Sequence, residues 1–237
     1  MYQFDEDMPT PHLLYDIVKG NIWDSKPVNI FGFNRAIGVS FETLWDDGGD
    51  YVYPSSALVM SVVSSSALDT MDVLIVGLDA DHTEISETVT LTGTSSITTT
   101  SSFYRINSAI ILSGSNVGNI TISNGGVTYA YIQANIGTTQ SSVYTVPAGH
   151  SLYLFRIDVL SGTNNGNKFL TFRNVITSGT GRTLRVAEAT FSTSQASIDR
   201  QVPFKISEKS DLHFEAKSSS STNEISIFIE AILVKDS

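Results

Sequence analysis

Apolar and polar residues alternate along most of this chain with a period of two, which is the spacing of a half-buried β-strand. The alternation is clearest over residues 150–162 and over residues 83–91. Ser-Gly, Asn-Gly-Gly and Pro-Ala-Gly breaks separate the runs and favour tight turns. Because almost no segment has the period of a helix, the pattern predicts an all-β protein with less than ~15% helix, against an average of ~30–35%.

The spacing of strands and turns predicts two tandem antiparallel β-sandwich domains of jelly-roll-like architecture, preceded by an N-terminal arm. The arm covers residues 1–27, the first domain residues 28–135 and the second domain residues 136–237. A single large sandwich is the alternative that the pattern leaves open. The last predicted strand, residues 224–234, is apolar on both faces, which is typical of a strand buried within a sheet or between subunits.

The predicted arm combines helix-breaking and apolar residues. Pro9, Pro11 and Pro27 block regular helix or central-strand pairing. An apolar arm docks on its own body, on a neighbouring copy or on a different protein, since termini stay disordered unless they are tied down. We predict that this arm anchors the chain to a larger particle or to a neighbouring copy. Its predicted anchors are Leu13, Leu14, Tyr15, Ile17, Val18, Ile22 and Trp23.

Composition narrows the class of protein. Charged residues are 16% of the chain, below the ~25% of an average domain, while 33 Ser and 24 Thr fill the polar positions of the strands. The absence of cysteine excludes disulfides and thiolate zinc sites. No run approaches the ~18–20 apolar residues of a membrane span, and the acidic N-terminus lacks the basic region of a secretory signal. We therefore expect no membrane partner.

The charge is acidic overall and unevenly distributed. A net charge of −10 argues against nucleic acid as a partner, because phosphate contacts need Lys and Arg. Residues 1–135 hold 15 acidic and 4 basic side chains, whereas residues 136–237 hold 9 acidic and 10 basic side chains. Two ends of different charge can guide how copies of the chain pack. Two surfaces that are solvated differently would give the same difference in net charge.

Candidate catalytic groups are scattered. His12 lies in the arm, His82 and His150 in predicted turns and His213 in a predicted strand, without the spacing of a metal site. No nucleophile elbow, Walker loop or dinucleotide-binding motif is present. The sequence therefore predicts no enzyme, no catalytic residue, no metal and no cofactor.

An acidic, glycine-containing loop is the best candidate for a cation site. Asp46, Asp47 and Asp50 surround a Gly-Gly turn, and carboxylates in such a turn can bind a hard cation such as calcium. The spacing is not that of an EF-hand, and Asp and Gly also simply form turns, so we prefer a structural turn here. A second weak acidic cluster consists of Asp79, Asp81 and Glu84.

Five ordered sequence blocks resemble a family of virion structural proteins from marine tailed phages, especially cyanophages. The blocks occur in this order over residues 31–216, a span that takes in most of the chain. They are FGFN at 31–34, ETLWDDGGDYVYP at 42–54, GLDADHTEISETVTLTG at 77–93, YTVPAG at 144–149 and PFKISEKSD at 203–211. The arm lies outside the blocks, which implies that it specifies where on the virion this chain attaches.

The resemblance implies a non-enzymatic β protein present in many copies on the phage particle. Members of the family look like capsid decoration, head-fibre or tail-associated proteins, and proteins of this kind are commonly trimeric. The implied partners are other copies of the chain, the major capsid protein and other virion proteins. The implied location is the particle surface, after assembly in the host cytoplasm. Trp45, Tyr51 and Tyr53 are the implied packing anchors of the second block.

Two other classes of function stay open at this stage. A tail-associated receptor- or glycan-binding module is the principal alternative, because jelly rolls serve as lectins and Trp45, Tyr51 and Tyr53 are of a kind that stacks on sugars. A depolymerase or other hydrolase is the third, and it requires a cleft in which two carboxylates lie close together.

Overall fold

The computed structural model describes residues 13–162, 169–220 and 222–236; within these ranges the side chains of Leu13 and Leu14 lie outside the description. The described residues form one six-residue helix and seventeen strands, which confirms the predicted all-β class with little helix. The described part of the chain contains no helix long and apolar enough to span a membrane.

The elements follow one another as a helix and then strands. In chain order they are α1 (Leu13–Val18), β1 (Ser25–Ile37), β2 (Glu42–Thr43), β3 (Leu58–Ser64), β4 (Asp72–Leu78), β5 (Glu84–Thr90), β6 (Ile97–Phe103), β7 (Arg105–Ile111), β8 (Ile120–Asn124), β9 (Val127–Ile132), β10 (Tyr144–Thr145), β11 (His150–Ser161), β12 (Leu170–Thr177), β13 (Thr183–Leu184), β14 (Glu188–Phe191), β15 (Gln195–Ile206), β16 (Asp211–Ser218) and β17 (Asn223–Lys235).

The first and last parts of the chain build one two-sheet unit, here named the sandwich unit (β1, β2 and β10 to β17). One sheet has the strand order β1-β17-β11-β15. The other has the order β10-β16-β12-β13, with β14 paired to β12 and β2 paired to β16. Both sheets contribute to one core, because alternate residues of each strand point inward, as in the burial pattern of β16.

The middle of the chain builds a second two-sheet unit, here named the inserted unit (β3 to β9). Its sheets have the orders β6-β3-β8-β9 and β5-β4-β7, and all pairs are antiparallel. Its core is separate from that of the sandwich unit and includes Met60, Ile75, Phe103 and Ile122, all fully buried. The antiparallel sandwich architecture expected from the strand spacing is therefore present in two units.

Strand β1 lies in the sandwich unit and not beside β3 to β9. It pairs with β17 from Ser25 opposite Val234 to Ile37 opposite Asn223. The predicted first domain includes residues 28–37, whereas β1 pairs with the last strand of the chain. The difference arises because alternation identifies a strand but not the distant strand with which it pairs. The boundaries 1–27, 28–135 and 136–237 stay a prediction, while the strand pairing places the inserted unit between β2 and β10.

Strand β17 is an inner strand, as its two apolar faces suggested. It runs between β1 and β11, and its inward face, from Ile225 to Leu233, is buried in the core. On the outward face Phe228 remains 47% exposed and its ring packs on that of Phe31 at a centroid distance of 4.6 Å. The outer face of this sheet therefore presents aromatic surface to solvent.

Helix α1 lies on the outer face of the same sheet. Ile17 is buried and, with Val18, borders a cavity of about 230 Å³ lined also by Pro27, Phe155 and Ile232. The helix ends before Gly20, whose φ of 74° is the left-handed conformation that favours glycine at a helix C-terminus. Among the helix side chains that the structure describes, Ile17 is the one buried against the sandwich unit.

Candidate functional site

The two units meet at a buried ion pair. Arg105 of β7 donates two hydrogen bonds to Asp211 of β16, from Nε to Oδ1 at 2.7 Å and from Nη2 to Oδ2 at 2.9 Å. Both side chains are mostly buried, and Asp211 also accepts a hydrogen bond from the hydroxyl of Thr145 at 2.7 Å. Arg105 Nη1 donates to the backbone oxygens of Pro54 and Tyr104. This fully partnered pair is a structural connection between the units.

A hydrogen-bonded chain continues from this pair along β16. The hydroxyl of Tyr53 contacts the Leu212 carbonyl oxygen and His213 Nδ1, both at 3.3 Å. His213 Nε2 lies 3.1 Å from Glu215 Oε1, and Arg173 Nε donates to Glu215 Oε2 at 2.6 Å. The hydrogen bond with His213, assisted by Arg173, lowers the pKa of Glu215 to about 2 against the opposing effect of burial. Both ring nitrogens of His213 therefore have partners within this hydrogen-bonded chain.

The aromatic residues of the second block form the apolar part of this junction. Trp45 packs edge-on against Tyr51 at 5.1 Å, and Tyr51 packs against Tyr53 at 5.0 Å. The Trp45 indole donates to Gly49 O at 3.1 Å, and the Tyr51 hydroxyl donates to the Tyr129 carbonyl of the inserted unit at 3.1 Å. Trp45 and Tyr51 are buried, so these rings pack between the units and present no surface for stacking on a sugar.

Close backbone approach explains the glycine of the first block. A Cβ atom at Gly32 would lie 2.5 Å from the Leu44 carbonyl oxygen and 2.7 Å from Ser142 Cβ. Asn34, two residues later, is buried and donates from Nδ2 to the Thr43 carbonyl at 3.0 Å. The FGFN block therefore lets the backbone at Thr43 and Leu44, in the second block, pack closely against β1.

The acidic loop does not gather its carboxylates. Asp46 is buried beside Arg35, while Asp47 and Asp50 are exposed. In the second cluster Asp79 caps its own turn by accepting the backbone N–H groups of Asp81 and Thr83, each at 2.9 Å. Among the residues that the structure describes, no three His, Asp or Glu side chains are placed to hold a metal ion.

The other described histidines, His82 and His150, both contact Ala148, and His12 is outside the described residues. His82 occupies a turn with φ 65°, packs edge-on against Tyr104 at 5.1 Å, and has a pKa lowered chiefly by burial. Its carbonyl oxygen accepts the backbone N–H of Ala148 at 2.8 Å. His150, the first residue of β11, has its Nδ1 2.9 Å from the Ala148 carbonyl oxygen.

A groove lies between the two units. It has a volume of about 460 Å³ and runs along β1 from Lys26 to Phe31, opposite Asn107 and Ser108 of β7. The one carboxylate among its lining residues is Glu84, and this forms a 2.7 Å ion pair with Lys26. Its lining therefore lacks the two close carboxylates of a glycosidase.

The structure divides the predicted anchor residues into two sets. Ile17 is buried against the sandwich unit and Ile22 is half-buried, whereas Leu13 and Leu14 have side chains outside the described residues. The second set remains exposed and consists of Tyr15 (60%), Val18 (65%) and Trp23 (88%).

Comparison with known proteins gives matches among solved structures alone. No protein-family model matches the chain, and no curated protein matches it. It is similar to a structure of infectious bursal disease virus Gt strain, with 12% identity, a TM-score of 0.28 and coverage of 90% of this chain and 73% of that one. The structure of infectious bursal virus derived T=1 particles has 10% identity and a TM-score of 0.24, and the match covers 90% of this chain and 74% of that one. The structure of the infectious bursal disease virus VP2 subviral particle has 9% identity and a TM-score of 0.21, and the match covers 96% of this chain and 82% of that one. At such low TM-scores the likeness carries no inference about function.

Proposed function

We propose that the chain is a non-enzymatic structural protein of a bacteriophage virion. In this proposal it is a capsid decoration or head-fibre subunit on the particle surface, held there by its N-terminal arm. Its partners are other copies of itself and the major capsid protein or another virion protein.

The proposal rests on the structural role of residues in the five sequence blocks. Tyr51, Thr145 and Asp211, from three of the blocks, form hydrogen bonds with the inserted unit. Gly32 packs against Leu44 and Ser142, and Trp45 packs against Tyr51. They make close backbone approaches, buried ring contacts and a buried ion pair. The residues that carry the resemblance to virion proteins are thus residues that hold the fold together. This supports a structural protein, whose function depends on its shape.

The charge of the inserted unit fits a solvent-facing position on a particle. Residues 58–132 contain six acidic side chains and one basic side chain, Arg105. Because Arg105 is buried in its pair with Asp211, the acidic side chains set the charge of the surface. A surface of one sign remains soluble and repels similar surfaces. In the proposal this unit points away from the particle.

The arm fits an attachment device. Ile17 fixes α1 to the sandwich unit, while Tyr15, Val18 and, after the helix, Trp23 keep most of their side-chain surface exposed to solvent. Full burial of a large apolar side chain contributes about 1.5–3 kcal/mol. Three such side chains supply a useful part of a binding free energy without any change in the fold of the chain.

A homo-oligomer, specifically a trimer, is part of the proposal. The resembled family is commonly trimeric, and the exposed Phe228 on the outer face of the β1-β17-β11-β15 sheet is surface that a second copy would cover. Light scattering should then give three times the chain mass of 25.7 kDa. A mass of 25.7 kDa at micromolar concentration would contradict the trimer.

Co-sedimentation with purified particles tests the attachment. The variant Tyr15→Ser/Val18→Ser/Trp23→Ser removes the exposed anchors and leaves Ile17 in place. Its control, Leu68→Ser/Leu112→Ser/Val117→Ser, removes three exposed apolar side chains from the rest of the chain. We expect the arm variant to lose binding by about tenfold or more and the control to bind normally. Equal binding of the arm variant and the wild type, or failure of the wild type to bind particles, would contradict the proposal.

A further inference from the structure

The carboxyl group of Asp46 is buried at the junction. Its side chain is 1% exposed, and neither Oδ1 nor Oδ2 has a hydrogen-bond partner among the residues that the structure describes. Arg35 Nη2 lies 3.6 Å from Oδ1, which is too long for a hydrogen bond. The Nε of Arg35 donates instead to Gln133 Oε1, on the segment that follows β9. A buried carboxylate with one distant counter-ion is poorly compensated for the loss of water.

A second buried oxygen without a donor belongs to the adjoining segment. Within the described ranges Gln140 Oε1 has no hydrogen-bond partner, and the backbone N–H of Asp46 donates to the Gln140 carbonyl at 3.2 Å. The backbone N–H of Phe33 reaches the same carbonyl at 3.4 Å. The loop of Asp46, strand β1 and the segment leading out of the inserted unit therefore meet at a place that is rich in acceptors and poor in donors.

The charged and titratable groups around Asp46 come from three elements. They are Arg35 of β1, Tyr131 of β9 and Asp47 of the same loop. Burial raises the pKa of Asp46 to about 6, although Arg35 opposes the rise. The pKa of Tyr131 is raised by burial and by the charges of Asp47 and Asp46, so its phenol stays neutral where Asp46 titrates.

We propose that Asp46 binds a proton when the solution becomes mildly acidic, and that this proton tightens the junction between the sandwich unit and the inserted unit. The neutral carboxyl group brings one O–H donor to a place that lacks donors. It also removes the buried negative charge for which Arg35 is an incomplete partner. The junction is then a pH-sensitive connection between the two units.

The direction of the effect is opposite to that of an ordinary paired carboxylate. An unfolded Asp has a pKa of about 3.9, so between this value and about 6 the folded chain binds the Asp46 proton more tightly than the unfolded chain. The contribution of Asp46 to stability is therefore complete at low pH and is lost as the pH rises through the folded value.

Fluorescence of Trp45 reports on the site, because Trp45 precedes Asp46 in the chain. Trp23 is the other tryptophan and is exposed, so the background variant is Trp23→Phe. In this background we expect the Trp45 emission to titrate with a midpoint of about pH 6. Adding Asp46→Asn should abolish the titration, while adding Asp47→Asn, which removes the same charge from an exposed neighbour, should preserve it. The difference between these variants separates Asp46 from the histidines.

Urea unfolding and carbon-13 NMR complete the test. At neutral pH Asp46→Asn should raise the urea midpoint above that of the parent, and Asp47→Asn should leave it unchanged. The Asp46 carboxyl resonance in the wild-type chain should titrate near pH 6, which needs no variant to fold. A carboxyl midpoint near the ordinary value of about 4, or a Trp45 titration that survives in Asp46→Asn, would overturn the proposal. Loss of the titration in millimolar Ca²⁺ would also overturn it, because the site would then bind a cation in place of the proton.

Discussion

The sandwich unit and the inserted unit have the same architecture but are closed in different ways. The inserted unit takes its seven strands, β3 to β9, from one continuous stretch of chain. The sandwich unit is closed by the two ends of the chain, because β1 pairs with β17 along nearly its whole length. One unit is therefore assembled from near neighbours in the sequence and the other from segments separated by about 200 residues.

This difference has consequences for folding and for stability. Pairing of distant segments requires a large loop to close before any contact forms, whereas neighbouring strands pair at little entropic cost. We therefore expect the inserted unit to keep its structure when the sandwich unit is damaged, and the sandwich unit to depend on both ends of the chain.

Removal of β17 should have the largest effect. A chain that ends at Ser220 lacks the inner strand of the β1-β17-β11-β15 sheet, so the sandwich unit should unfold as a whole. Hydrogen exchange should show protected amides over residues 58–132 and fast exchange over residues 150–220. A chain that lacks residues 1–12 is the control and should keep protection in both units. Loss of protection in both units of the shortened chain would show that the inserted unit cannot fold alone.

The two ion pairs that join the units should differ strongly in their effects. Arg105→Ala leaves Asp211 buried and unpaired, so we expect the free energy of unfolding to fall by about 3–5 kcal/mol. Lys26→Ala breaks the pair with Glu84, which is half exposed on both sides and should cost at most about 1 kcal/mol. Urea unfolding measures both. Similar losses in the two variants would mean that the Arg105–Asp211 pair does not hold the junction.

Gly32→Ala should destabilise the contact between β1 and the loop of the second block. The added Cβ atom would overlap the Leu44 carbonyl and Ser142, and overpacking of this kind costs about 1–3 kcal/mol. Gly38→Ala is the control, since its Cβ would meet only the flexible end of Glu42 at 3.1 Å. Thermal unfolding should show a lower midpoint for the first variant. A wild-type midpoint for Gly32→Ala would show that β1 can move away from the loop.

Glu215 should make the free energy of unfolding fall at acidic pH, as an ordinary paired carboxylate does. Its pKa is lowered to about 2 by the hydrogen bond from His213 and by Arg173. The stability that it contributes is therefore present above the unfolded pKa of about 4.3 and is lost as the pH falls through about 2. Glu215→Gln should lose about 1–2 kcal/mol at neutral pH and show a flatter profile below about pH 4. Glu224→Gln, at an exposed position, should keep the wild-type profile; an unchanged profile in Glu215→Gln would contradict this account.

Local patterns predicted the strands of both units well. The alternation over residues 150–162 corresponds to β11, and the two apolar faces of residues 224–234 correspond to an inner strand. The pairing of β1 with β17 could not be predicted, because alternation carries no information about a distant partner. Gly32 was an available signal, since a glycine inside a strand often marks the close approach of another backbone.

The junction was harder to predict than the strands. Arg105 and Asp211 are 106 residues apart, and neither has a local pattern that links it to the other. Composition indicated a structural turn for the acidic loop, with a cation site as the alternative, but the burial of Asp46 beside Arg35 depends on three elements brought together by the fold. Trp45 and Tyr51 were predicted as packing anchors from the resemblance, and both are buried in this position.

Electron cryomicroscopy of intact phage particles tests the proposed function most directly. We predict density for several copies of the chain on the particle surface, related by a threefold axis. The sandwich unit should lie next to the particle, with Tyr15, Val18 and Trp23 in the contact, and the acidic inserted unit should point toward solvent. Absence of the chain from the particle, or an attached chain with the inserted unit in the contact and Trp23 facing solvent, would contradict the account.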